Sequence, residues 1–127
     1  MSPLSLTLLG QSFTIHRLEP DGDLPALALN SPFFAAVRTD DELSIVVPEN
    51  IEIESDKSDP GWACFKVEGP LEFSQVGILA GLANVLAEAK VAIFALSTFD
   101  TDYILIKREQ VEAAKEALTS ARYALTA

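Results

Sequence analysis

The sequence predicts an α+β fold of antiparallel sheets, with most of a βαββαβ order in its second half and a reduced version of it in its first. Three observations carry this prediction. Short apolar or alternating runs of about four to eight residues are separated by clusters of Gly, Pro, Asp and Ser, the pattern of strands and turns. Two segments in the second half keep apolar residues at helical spacing instead. The chain also echoes itself at an offset of 60: "FAAVRTDDELSIVVPENIE" lies over "FALSTFDTDYILIKREQVE" without a gap, Phe34 on Phe94 and Asp40 on Asp100.

Taken in order, Leu4 to Leu9 and Ser12 to Leu18 read as strands around a Gly10-Gln11 turn. Pro25 to Leu29 makes a short helical turn that Pro32 closes. Phe33 to Thr39 and Glu42 to Pro48 form a hairpin through Asp40-Asp41, and the acidic stretch "ENIEIESDKSDPGW" reads as a connector. Trp62 to Val67 is a strand ending at Gly69-Pro70. Ser74 suits the N-cap of a helix running to about Ala89, with Val76, Leu79, Ala80, Ala83 and Leu86 as its buried stripe. Val91 to Ser97 and Asp102 to Lys107 are strands flanking "STFDTD". Gln110 to Tyr123 is a helix with Val111, Ala114, Leu118 and Ala121 on one face. This is a ferredoxin-like order short of its final strand. Residues 1–60 are expected as a degenerate first half, its second helix lost, and residues 61–127 as the fuller second half.

Composition narrows the function. With 127 residues and 49% hydrophobic content the chain suffices for a packed core. A net charge of −10 argues against nucleic acid, whose phosphates need clustered Lys and Arg. Apolar runs stop well short of the ~20 residues a membrane span needs, and the N-terminus lacks the basic start of a signal peptide. The one cysteine, Cys64, fits a reducing, cytoplasmic setting and reads as a small packed residue. His16, the lone histidine, sits in the strand "FTIHRL". No metal-ligand spacing, P-loop or nucleophile elbow is present, so the reading is non-enzymatic, with no cofactor and no metal. A small hydrolase or isomerase using Asp100, Asp102 and His16 is the least favoured reading.

The remaining chemistry gathers at two segments that a βαββαβ order brings together: the strand-to-helix loop "EGPLEFSQVGILAG" and the hairpin "STFDTD". A helix start offers backbone N–H groups and the positive end of its dipole to a carboxylate. Asp100 and Asp102 can hold an ammonium or guanidinium. A cation site facing an anion site suits an amino-acid zwitterion. Against this stand plainer roles: Asp100 and Thr101 as turn formers, Ser74 as a helix cap, and Gly77 with Gly81 as allowances for close packing. Phe99 is too large and apolar for an exposed turn, and covers a pocket or an interface.

Through "GILAGLANVLAEAKVAIFALSTFDTDYILI" the second half resembles the ACT-domain family, regulatory βαββαβ modules that bind amino acids, and within it the tandem proteins related to arginine sensors. The resemblance implies ligand-binding roles for Phe73, Ser74, Gln75, Val76 and Gly77 in the loop. It implies the same for Thr98 and Phe99 as pocket wall and for Asp102 at the cationic end. Gln75 is neutral where those relatives carry an acid, leaving a guanidinium fewer negative partners. The expectation is thus a dimeric amino-acid-binding regulatory module, a homodimer in the cytoplasm. The alternative is a ligand-free interaction module that docks on a partner enzyme.

Overall fold

The computed structural model of the chain describes residues 4–68 and 77–126. Eight strands and three helices appear among them. They are β1 (Ser5–Leu8), β2 (Phe13–Leu18), α1 (Ala26–Leu29), β3 (Ala35–Arg38), β4 (Leu43–Pro48), β5 (Lys57–Val67), α2 (Ile78–Glu88), β6 (Phe94–Ser97), β7 (Asp102–Lys107), α3 (Val111–Ser120) and β8 (Ala124–Thr126). Two compact units result, and they do not follow the expected division at 60/61. Residues Gln11–Trp62 form one unit, inserted in the chain between residues up to Gly10 and those from Ala63 onward, which form the other. The long strand β5 gives its beginning to the inserted unit and its end to the main unit.

In the inserted unit the strands run in the order β3-β4-β2-β5, all antiparallel. This is the strand order of a ferredoxin-like sheet, with the start of β5 standing as its fourth strand. The expected connector is therefore in part a strand. Its Asp59-Pro60-Gly61 run resembles a turn, yet the ladder accommodates it by a register shift between Phe13 and Ile15. Pairing of Leu18 with Leu43, His16 with Ile45 and Thr14 with Val47 puts these residues on one face. There Leu43, Ile45 and Val47 form a core with Ala28 of the four-residue α1. No second helix covers this face; Ile51 and Ile53, from the segment between β4 and β5, pack on it instead.

The main unit has the strand order β8-β1-β5-β7-β6. The final strand that sequence reading lacked is β8. It pairs in parallel with β1, Leu6 opposite Leu125, while β1 pairs antiparallel with β5, Leu6 opposite Val67. The first strand of the chain is thus inserted between the first and last strands of a βαββαβ sheet. Leu82 and Leu86 of α2 and Val111, Ala114 and Leu118 of α3 pack with Leu6, Phe65, Val67, Ile104 and Ile106 into its core. Each buried Leu, Ile, Val or Phe side chain among them stabilises by about 1.5–3 kcal/mol relative to exposure.

Both helices differ at their ends from the expectation. α2 begins at Ile78, with Gly77 as N-cap; Ser74, the expected N-cap, lies outside the described residues. Its buried residues are Leu82 and Leu86, with Ile78, Leu79 and Val85 beside them; Ala80 is exposed. α3 ends at Ser120, and Ala121 is its exposed C-cap. Each helix closes with a left-handed residue, Lys90 at φ 62° and Arg122 at φ 73°. The next amide bonds back five residues, Val91 N–H to the Leu86 carbonyl and Tyr123 N–H to that of Leu118. In both cases that next residue packs on the core, as this kind of helix stop favours.

Candidate functional site

The site is built on the β6–β7 hairpin, whose last pair is Ser97 with Asp102. Thr98 closes the tip. Its backbone N–H donates to the Thr101 carbonyl at 2.8 Å, its hydroxyl donates to the same oxygen, and the Thr101 N–H donates to the Thr98 hydroxyl at 3.2 Å. These bonds free the tip from any need for Gly or Asn. Thr101 itself is not an ordinary turn former: it is buried, and its hydroxyl donates to the carbonyl of Val67, the last residue of β5. That bond anchors the hairpin tip to the end of β5.

Beside it, the Asp102 carboxylate is half-buried and accepts a 2.6 Å hydrogen bond from the Ser97 hydroxyl. This holds the carboxylate at the strand end in one orientation. Asp100 is exposed, and Phe99 is 79% exposed. Gly77 sits at the start of α2 with φ 84°, a conformation that L side chains rarely adopt, and open space lies where its Cβ would be. Its glycine is required by the backbone turn and not by crowding. Gly81 does face a close neighbour: a Cβ there would lie 3.3 Å from the Tyr123 hydroxyl. Phe73, Ser74, Gln75 and Val76 fall outside the described residues.

His16 and Cys64 are both buried. His16 is buried on the core face of the inserted unit, with Nδ1 2.8 Å from the Ser55 hydroxyl. Ser55 donates to the Lys57 carbonyl, so Nδ1 carries the proton and donates to Ser55. Burial lowers the His16 pKa below 6.5 and pushes the Cys64 thiol up to about 12, so Cys64 is no nucleophile at neutral pH. Among the described residues no group of three His, Cys, Asp or Glu side chains could hold a metal ion. None of their helices is long and apolar enough to cross a membrane.

The two hairpins correspond in structure, but not at the offset of 60 that the sequence suggests. Arg38 pairs with Leu43 as Ser97 pairs with Asp102, which is an offset of 59. Thr39 repeats the role of Thr98: its N–H donates to the Glu42 carbonyl at 2.9 Å, and its hydroxyl accepts from the Glu42 N–H. A one-residue slip exchanges the faces of a strand, so the residues the echo aligns lie on opposite faces. Sequence reading missed two residues that matter here: Thr101 as an anchor, and Arg38, whose position opposite Leu43 emerges only from the register.

Known proteins agree with this architecture. The family model described as ACT domain matches residues 57–120, half of the chain, and a second model, of an N-terminal domain, matches residues 11–56. A protein from Agrobacterium tumefaciens of known crystal structure is 36% identical, with a TM-score of 0.89 over 98% of this chain and 93% of that one. The regulatory subunit of aspartate kinase from Thermus flavus shares the fold at 15% identity and a TM-score of 0.68, over 95% of this chain and 99% of that one. The cytosolic arginine sensor for mTORC1 subunit 1 of Mus musculus is 28% identical over 88 residues, 63% of this chain. The match spans only 27% of that sensor's length. A degenerate ferredoxin-like unit inserted before β5, a fuller one closed by β8, and the match of half the chain lead to one assignment: this chain belongs to the ACT-domain family.

Proposed function

We propose that the chain is a non-enzymatic regulatory module that binds an amino acid at the β6–β7 hairpin of its main unit. The observation that carries this reading is the Thr101 hydroxyl bonded to the Val67 carbonyl, which tethers an acidic hairpin tip to the end of β5, from which the chain runs on toward α2. Asp102, oriented by Ser97, takes the ligand's cationic group. Thr98 and Phe99 border it. Phe73, Ser74, Gln75, Val76 and Gly77, at the helix entrance, receive the carboxylate through backbone N–H groups, as the positive end of a helix favours. The net charge of −10 favours cationic ligands further. The name of the mouse relative supports both an amino-acid ligand and a cytoplasmic setting.

A charge-assisted contact contributes about 1.5–3 kcal/mol. Asp102→Ala therefore weakens binding roughly tenfold to a hundredfold. Thermal-shift screening against the twenty amino acids at about millimolar concentration identifies the ligand, since stabilisation grows with its concentration over Kd. Calorimetry then compares wild type with Asp102→Ala. Equal affinity in the two would refute the site.

A second reading, a ligand-free module that docks on a partner enzyme or on a second copy as a homodimer, is favoured by one observation. Phe99 is 79% exposed at the end of β6, an edge strand of its sheet. A flat thermal-shift screen, with association lost in Phe99→Ser, would support it.

A further inference from the structure

The inserted unit repeats the hairpin, but with a residue of the opposite charge at its end. At the end of β3, in the position of Ser97, stands Arg38. Its guanidinium donates through Nη1 to the Pro20 carbonyl and through Nη2 to the Gly22 carbonyl, the latter at 2.7 Å. Both carbonyls belong to the loop that leads from β2 into α1. The loop turns to present them by a Gly22 N–H bond to the Glu19 carbonyl at 3.0 Å. A Cβ at Gly22 would come within 3.2 Å of that oxygen. A planar fork can span two carbonyls where a single ammonium would not. Opposite Arg38 stands Leu43, buried, in the position of Asp102. In the main unit the same pair is a hydroxyl that donates to a carboxylate: a negative charge where the inserted unit supplies a cation.

We infer that Arg38 is a built-in substitute for a ligand. Its guanidinium ties the inserted unit's hairpin to its strand-to-helix loop, the role that the proposed function gives to a ligand's cationic group in the main unit, so each chain carries one amino-acid site and not two. The comparison rests on the reading proposed above for Ser97 and Asp102. The tie that Arg38 makes in the inserted unit is testable without it.

The test uses the full chain, amide hydrogen exchange over residues 19–24, and guanidinium chloride at about 10 mM as the probe, with sodium chloride and urea at the same concentration as controls. Arg38→Ala and Arg38→Gln are expected to speed exchange in this loop roughly tenfold while leaving α3 unchanged. Guanidinium, but neither control, is expected to restore part of the protection in Arg38→Ala, and to do nothing to wild type. Unchanged exchange in both variants would overturn the inference, as would recovery that sodium or urea produces equally. An amino-acid response surviving Asp102→Ala would instead overturn the reading of the main unit and leave this result standing.

Discussion

Replacing Thr101 with valine is the most direct test of the tether between the hairpin and β5. The side chains are nearly equal in volume, so the change deletes one hydroxyl from a position only 6% exposed and leaves the backbone bond from Thr98 N–H to the Thr101 carbonyl in place. What is lost is the hydrogen bond to Val67, and what is left is a carbonyl short of a partner. Losing a net bond while stranding a buried acceptor costs about 1–3 kcal/mol. With a urea m-value of about 2 kcal/mol/M, the unfolding midpoint falls by roughly 0.5–1.5 M. Thr98→Val is the control, because that hydroxyl is exposed and bonds only within the tip; its effect stays under about 1 kcal/mol. The measurement is urea unfolding followed by tryptophan fluorescence or circular dichroism. If Thr101→Val costs no more than Thr98→Val, the tether does not hold the hairpin, and the structural support for the ligand site goes with it.

Two further outcomes follow from groups outside the tether. His16 is buried with a lowered pKa, so between that value and 6.5 the unfolded chain binds a proton that the folded chain does not. Its stabilising contribution is whole above about pH 6.5 and is lost as pH falls through the window below it, with a slope of at most ~1.4 kcal/mol per pH unit; urea midpoints from pH 7.5 to 5 read it, and His16→Gln flattens that part of the profile. Gly77→Ala meets no atom but forces an L side chain to φ 84°, which costs about 1–2 kcal/mol and shows as a lower melting temperature with the helix content of the folded state unchanged.

What could be read from the sequence was what local chemistry decides. The hairpins at Asp40-Asp41 and at "STFDTD" were legible because apolar strands flank polar, turn-forming tips, and both tips hold. The residues in "STFDTD" were legible as a cluster, yet their roles were not. Thr101 looks like a turn former until a carbonyl 34 positions earlier in the chain takes its hydroxyl. β8 escaped notice because Ala124-Leu125-Thr126 is only three residues long and directly follows a helical run; only pairing with β1, at the other end of the chain, makes it a strand. The start of α2 was misplaced because a glycine inside a helical pattern reads as interior, whereas φ 84° makes it the boundary. The first part of β5 was hidden behind a Pro-Gly pair that a bulged ladder tolerates. For Thr101, β8 and β5 a contact between distant parts of the chain overrode a local preference.

The insertion of one unit within the other bears on how the chain acquires its order. β1 must find β5 across more than fifty intervening residues, and closing so long a flexible loop costs roughly 3–4 kcal/mol of chain entropy. The inserted unit removes that cost internally, because Phe13 and Trp62, at its two ends, are ladder partners. Once it has folded, Leu8 and Phe65 meet as if across a short hairpin. Damage to Leu43 or Ile45 would therefore loosen β1, and β8 with it, without touching either strand.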